Sequence, residues 1–258
     1  MYFKRIISFL LFLSALISSL TFNIYADEGA NWYVKRNGNK RPIFDESQLI
    51  VEKYNGYYID KKLDDNSSDK VLYLTFDAGY ENGNIEKILN TLKEEKVNAA
   101  FFLLDNIIIK NTDLVLRMKN EGHLVCNHTK NHKDLTKLND SEIIKNVTDL
   151  EKIYEQKTGE QLSKYFRFPE GRYNENSLKC INSLGYKTIF WSFGYDDWDD
   201  SRQPSCDKAI KKILNNTHNG AVILLHPTSS TNAQILGTLI KAWREMGYRF
   251  GSLDELTE

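Results

Sequence analysis

Seven short apolar runs, KVLYLTF, VNAAFFLL, HLVCN, YFRFP, KTIFWSF, AVILLH and YRFGSL, recur along the chain between residues 70 and 253. Each is too short for a buried helix, and most are rich in β-branched or aromatic residues, the signature of strands. The runs are continuously apolar instead of alternating, which predicts burial on both faces. Between them lie segments with helical period: Ile85, Ile88, Leu89 and Leu92; then Ile143, Ile144, Val147, Leu150 and Ile153; then Ile235, Leu236, Leu239, Ile240 and Trp243. Strand and helix in repeated alternation predict an α/β fold with a parallel sheet, either a barrel or a doubly wound sheet. Gly122, Gly159, Gly185 and Gly247 stand where left-handed C-terminal caps belong, and Ser141, Ser205 and Asn84 where N-caps belong. No internal repeat points to a solenoid.

Ahead of the regular region, residues 27–69 are polar and irregular, with aromatic islands in NWYVKRNG and YNGYYID, and read as an extension packed on the main domain. Residues 1–26 carry Lys4 and Arg5 before the apolar run IISFLLFLSALISSL, which predicts a secretory signal ending near Ala26 or a retained N-terminal anchor, and in either case an extracytoplasmic protein. The formal net charge of -1 gives no basic excess, so no nucleic-acid partner is expected. Cys126, Cys180 and Cys206 are odd in number and widely spaced, arguing for buried free thiols over a disulfide framework or a cysteine-rich zinc site.

In a β/α barrel the chemistry sits at the C-terminal ends of the strands, because the interior is packed and only the loops beyond those ends vary freely. Asp77, His128, Arg167, Asp197 and His226 all fall within or just after apolar runs, as such a site requires. His128 and His132 are four apart and, on one helical turn, would converge as ligands for a divalent cation such as zinc; two separate solvated loop histidines are the alternative. Asp77 reads as a strand-end carboxylate, either a turn acceptor or, beside a cation such as Arg167, an ionised general base. His226 ends an apolar strand before Pro227, which suits a positioned acid or a hydrogen-bonded core histidine. His123 and His218 read as surface or structural.

The ordered set TFDAG, H-x-x-x-H in NHTKNH, RFPEG, Asp197 with Trp198, and Leu225 with His226 resembles the polysaccharide deacetylases of carbohydrate esterase family four, the NodB homology domain. The resemblance spans roughly residues 70–256 and implies a distorted (β/α)7 barrel preceded by the irregular extension. The delta-lactam-biosynthetic de-N-acetylases are the nearer branch, on TFDAGYENG, WYVKRN and WSFGYDDW. That branch implies removal of acetyl from peptide-free N-acetylmuramic acid, after an N-acetylmuramoyl-L-alanine amidase has acted, leading to muramic δ-lactam in spore-cortex peptidoglycan. It implies a monomer whose partner is the glycan strand.

Carried over, Asp77 is the base, Arg167 its orienting partner, His226 the acid, and Asp197 the group that holds His226 or Arg167. His128 and His132 are the metal ligands, in a two-histidine site that water, substrate or Asp77 itself must complete. Tyr80, Gly171, Trp198 and Leu225 (or Leu224) contact substrate, whereas Tyr173, Phe193 and Tyr195 fit sugar stacking less well than the core. Two departures stand out. Ala78 occupies the place of the usual metal-ligating Asp, which implies weak metal binding, and Glu170 in RFPEG replaces a common Arg. A chitooligosaccharide or N-acetylglucosamine deacetylase and a non-catalytic wall-binding module are the competing expectations.

Overall fold

The computed structural model describes residues 29–258, so the expected signal or anchor lies outside the described residues. One curled sheet organises the fold. Its strands are β1 (Gly56–Tyr57), β2 (Val71–Ala78), β3 (Ala100–Leu103), β4 (Leu124–Asn127), β5 (Ser163–Phe166), β6 (Lys187–Ile189), β7 (Ala221–Leu225) and β8 (Arg249–Phe250). The order is β7-β2-β3-β4-β5-β6-β1, with β8 against the start of β2, and every pairing within the sheet is parallel. This is a curled parallel half-barrel in which seven strands follow one continuous order and β8 adds an eighth beside β2; the seven apolar runs supply β2 to β8, and the extension supplies β1.

Strand parity sorts the residues of β2. Leu72, Leu74, Phe76 and Ala78 join a cluster with the apolar faces of the surrounding helices, including Ile85, Leu89, Leu236 and Trp243. Val71 and Tyr73 face the other way, into the barrel, with Ala100, Phe102, Cys126, Tyr165 and Val222. Thr75 and Asp77 continue that inward row by the two-residue repeat of a strand. Burial of each large apolar side chain contributes about 1.5–3 kcal/mol, which fixes the register, because a slip of one residue would turn Asp77 outward. The opposite mouth is plugged by the short C-terminal helix Leu253–Thr257, whose Leu253 and Leu256 belong to the interior cluster.

The extension is more integral than its polar composition suggests. Gly56–Tyr57 is a strand of the main sheet, beside β6, and Ile59 bridges to Ala221 of β7. Trp32 is 4% exposed and stacks on Phe44 and Phe190, while its indole N–H donates to the Trp191 carbonyl at 2.8 Å.

The four glycines expected to close helices all have positive φ. The N-cap of the helix Asp140–Thr158 is Asn139 and not Ser141: Asn139 accepts from the Glu142 amide and Glu142 returns the bond, a capping box that satisfies two orphan donors. Ser205 and Asn84 do hold N-cap positions, without a side-chain bond to a backbone N–H of the helix. All three cysteines are free; Cys126 and Cys180 are buried and Cys206 is half-buried. Among the described residues no helix is long and apolar enough to cross a membrane.

Candidate active site

The inward row of β2 becomes polar at its C-terminal end. Asp77 Oδ1 accepts from Arg167 Nη1 at 2.8 Å, and Thr75, one inward position earlier, accepts from Arg167 Nη2 at 2.9 Å. Arg167 is completely buried; its Nε donates to the Ile189 carbonyl at 2.9 Å, and its guanidinium carbon lies 4.2 Å from the Phe102 ring centre. A buried guanidinium needs a partner on each face and edge, and this one has them. Burial alone would raise the Asp77 pKa, but the permanent positive charge of Arg167, the foremost opposing cause, and its hydrogen bond outweigh it and hold the carboxyl below its ordinary value. Asp77 is therefore an anion, fixed in orientation, at the strand end.

Across the mouth, β7 ends at His226. Its Nδ1 lies 2.7 Å from Asp197 Oδ1, and its backbone N–H donates to Asp197 Oδ2 at 2.8 Å. Asp197 is fully buried and holds His226, not Arg167, which resolves the two expected roles. Burial disfavours the imidazolium, but the charge and hydrogen bond of Asp197, with Asp77 adding, raise the His226 pKa above its ordinary value. With Nδ1–H committed to Asp197, Nε2 is the nitrogen left to give a proton.

His128 is 3% exposed, and burial pushes its pKa down to about 4, so the ring is neutral near pH 7. Its Nδ1–H therefore donates to the Arg167 carbonyl at 2.9 Å, and the Nε2 lone pair faces Asp77 Oδ2 across 3.7 Å. The His132 ring centre is 5.1 Å from that of His128. The connecting loop is held in sparsely populated backbone, with φ of 72° at Thr129 and 57° at His132, conformations that persist only where surroundings impose them. Here Asn127 Oδ1 accepts from Thr129 N–H, Thr129 Oγ1 from His132 N–H, and Asn146 Oδ1 from Lys130 N–H. The two histidines are thus brought together by a strained turn, not by the helical turn expected from their spacing.

The donor set falls short of a resident metal centre. Among the described residues no group of three His, Cys, Asp or Glu side chains gathers to hold an ion. Asp77 Oδ1 is already committed to Arg167, and Ala78 turns its methyl into the helix-side core. The residues present do not fit an ion held by three protein ligands.

At the rim, Tyr80 is 44% and Trp198 59% exposed, and the Tyr80 hydroxyl donates to Asp200 at 2.7 Å, tying the loop after β2 to the loop that carries Asp197. Leu225 is fully buried in the helix-side core, with Leu224 on the other parity. Gly171 has φ of 65° and packs so closely that an added Cβ would lie 2.7 Å from Trp191 and 3.0 Å from Trp32, so its close approach serves the join between extension and barrel. Tyr173, Phe193 and Tyr195 are core residues. His123 and His218 are buried, not on the surface, and burial holds both near pKa 4.

A cavity of about 650 Å³ opens at the other end of the barrel, among Asn98, Arg244, Arg249 and Glu255, away from all of these groups. Convergent charged groups, not cavity size, mark the site. Thr75 and Asn127 open the TFDAG and NHTKNH motifs without being singled out there, and Asn146 and Asn232 lie outside the motifs; all four support the site, Thr75 by the two-residue parity of β2 and the others through side-chain bonds.

A half-barrel with a buried Asp–Arg pair and an Asp–His pair at the C-terminal strand ends has its convergent charged groups where barrel enzymes carry their chemistry. The chain matches the polysaccharide deacetylase family model over residues 64–189. It is 36% identical over 232 residues to the peptidoglycan-N-acetylmuramic acid deacetylase PdaA of Bacillus subtilis, covering 89% of this chain and 86% of that protein. The solved structure of that PdaA, a family 4 carbohydrate esterase, superposes with a TM-score of 0.83 at 34% identity, over 89% of this chain and 97% of that one. A peptidoglycan-N-acetylglucosamine deacetylase of Bacillus cereus is 30% identical over 195 residues, 74% of this chain and 89% of that protein. The chain belongs to the polysaccharide deacetylases, carbohydrate esterase family four, whose members are hydrolases that act on amide bonds as N-deacetylases.

Proposed function

We propose that this protein removes the N-acetyl group from peptide-free N-acetylmuramic acid in peptidoglycan, in an extracytoplasmic setting, and that the freed amine then closes on the lactyl carboxyl, with loss of water, to give the muramic δ-lactam of spore cortex. The observation that carries the reaction is the pair of opposed, differently tuned groups: a carboxylate of Asp77 held by Arg167 and an imidazole of His226 whose protonated form is favoured by Asp197. His128 Nε2 and Asp77 Oδ2, two acceptors facing each other across 3.7 Å, form a place for a water that donates to both. That water attacks the acetamide carbonyl while Asp77 takes its proton. As the carbon–nitrogen bond breaks, His226 Nε2–H protonates the departing sugar nitrogen, and acetate leaves. Trp198 and Tyr80 are the exposed aromatic surfaces on which sugar rings would rest. The muramic preference rests on the likeness to PdaA and on the WYVKRN and WSFGYDDW segments.

The test is product analysis by mass spectrometry on three substrates: amidase-treated glycan bearing bare muramic acid, the same glycan with its stem peptides, and N-acetylglucosamine oligomers. Acetate and lactam from the first alone are expected. Acetate from the glucosamine oligomers in preference would make this a deacetylase of the second kind, and binding of all three without acetate release would make it a wall-binding module.

Any divalent cation such as zinc would be held by His128 and His132 alone, and weakly. Zinc titrated calorimetrically should bind reversibly, be lost on dialysis, and fail to bind the His128→Ala variant. A stoichiometric ion retained through dialysis would contradict this reading.

A further inference from the structure

Behind the His226–Asp197 pair lies a second layer of buried polar groups. Asn232 sits in the first turn of the helix Ser230–Glu245, 1% exposed, and its amide nitrogen donates to Asp197 Oδ2 at 2.6 Å and to the His226 carbonyl at 3.0 Å. Its Oδ1 accepts from the hydroxyl of Tyr195, itself 7% exposed. The helix start is fixed in turn by Ser229, which accepts from the Asn232 backbone N–H at 3.0 Å. This arrangement admits one orientation of the amide, because a carboxylate and a carbonyl require the two N–H groups and the phenol supplies the donor to Oδ1.

We propose that Asn232, braced by Tyr195, is a positioning residue for the deacetylation reaction: it clamps Asp197 to both ends of His226 and thereby fixes the aim of Nε2 at the departing nitrogen. The inference rests on the reading of His226 as the acid. Asp197 Oδ2 receives two donors, the His226 and Asn232 N–H groups, while Oδ1 is left to the imidazole. Without Asn232 the carboxylate keeps one backbone donor and can rotate about its Cβ–Cγ bond, so that the imidazole it carries loses its fixed direction. A buried network of this kind acts as a unit, so removal of one member is felt at the reacting atom. The charged groups bearing on His226 are Asp197, Asp77 and Arg167, and Asn232 acts on it through the first of these.

Asn232→Ala is expected to lower kcat for acetate release by about 10–100-fold, the range seen for residues that orient a reacting ligand, with KM within about twofold. In the isosteric Asn232→Asp variant a second carboxyl faces Asp197. Two carboxyls at the 2.6 Å separation of that bond share one proton, so the clamp survives only while the pair holds it: kcat should approach the wild-type value at low pH and fall as the pair loses that proton, whereas a merely structural role would give a loss that does not vary with pH. Nitrogen-15 histidine spectra of the full chain give a readout independent of turnover. Wild-type protein should show a downfield His226 Nδ1–H resonance that is lost in Asn232→Ala. If that variant fails to fold, Tyr195→Phe, which keeps the ring and removes only the brace on Asn232, should weaken the same resonance and lower kcat several-fold, by about 2–10-fold for one lost hydrogen bond. Retention of the resonance and of wild-type kcat in the variants would overturn the proposal. Absence of acetate release from the wild-type protein would overturn the deacetylase reading instead, and the spectra would still decide the positioning.

Discussion

In an Asp77→Asn variant, acetate release from peptide-free glycan is expected to fall by about 10²–10⁴-fold, the usual worth of a general base, with little change in KM. Asn keeps an oxygen for Arg167 Nη1 to donate to, so the guanidinium retains that hydrogen bond, but its charge is no longer matched and the variant loses part of the roughly 3–5 kcal/mol that breaking a buried pair costs. What is lost is the anion that takes the proton from water. Near-normal acetate release from a folded variant would remove Asp77 from the role of base. Urea unfolding separates this from damage to the core, since it gives the folded fraction on which turnover is counted.

The second large effect is on the fold itself. Arg167 is completely buried, and the partner it meets at 2.8 Å, Asp77, is 9% exposed. Removing one member of such a pair leaves an uncompensated charge, so Arg167→Met is expected to destabilise the protein by about 3–5 kcal/mol in urea unfolding. Removing both members, as Asp77→Leu with Arg167→Met, should restore much of that loss, because two apolar side chains of similar volume bury without any desolvation penalty. The double variant would be stable and inactive. Equal destabilisation of single and double variants would mean that Arg167 serves chiefly through its bonds to Thr75 and the Ile189 carbonyl.

Much of this was legible from residue pattern. The continuous apolar runs specify buried parallel strands because no other element buries both faces in so few residues, and Asp77 and His226 stand at strand ends because the apolar character stops there. The parity of VLYLTFDA contains more than the motif does: it places Thr75 beside Asp77 and turns Ala78 toward the helices. Other parts of the site have no local signature. Gly56–Tyr57 becomes a strand because β6 offers it a free edge, not because YNGYYID is apolar. The turn that joins His128 to His132 is imposed by Asn127 and Asn146, whose side-chain bonds reach across the loop. Asn232 lies in a polar helix start that would read the same if Asp197 were elsewhere; only the fold brings the two within hydrogen-bond distance.

The central claim is that the acid of this site is an imidazolium held by Asp197. The pH dependence of kcat/KM for acetate release from peptide-free muramoyl glycan tests it most directly. Activity should persist through pH 6.5, the ordinary histidine value, and fall only above it, since the His226 pKa is raised, and the limb should vanish in His226→Gln along with most of the activity. A rate that climbs through neutrality as His226 loses its proton, or a limb unaltered in His226→Gln, would contradict the account.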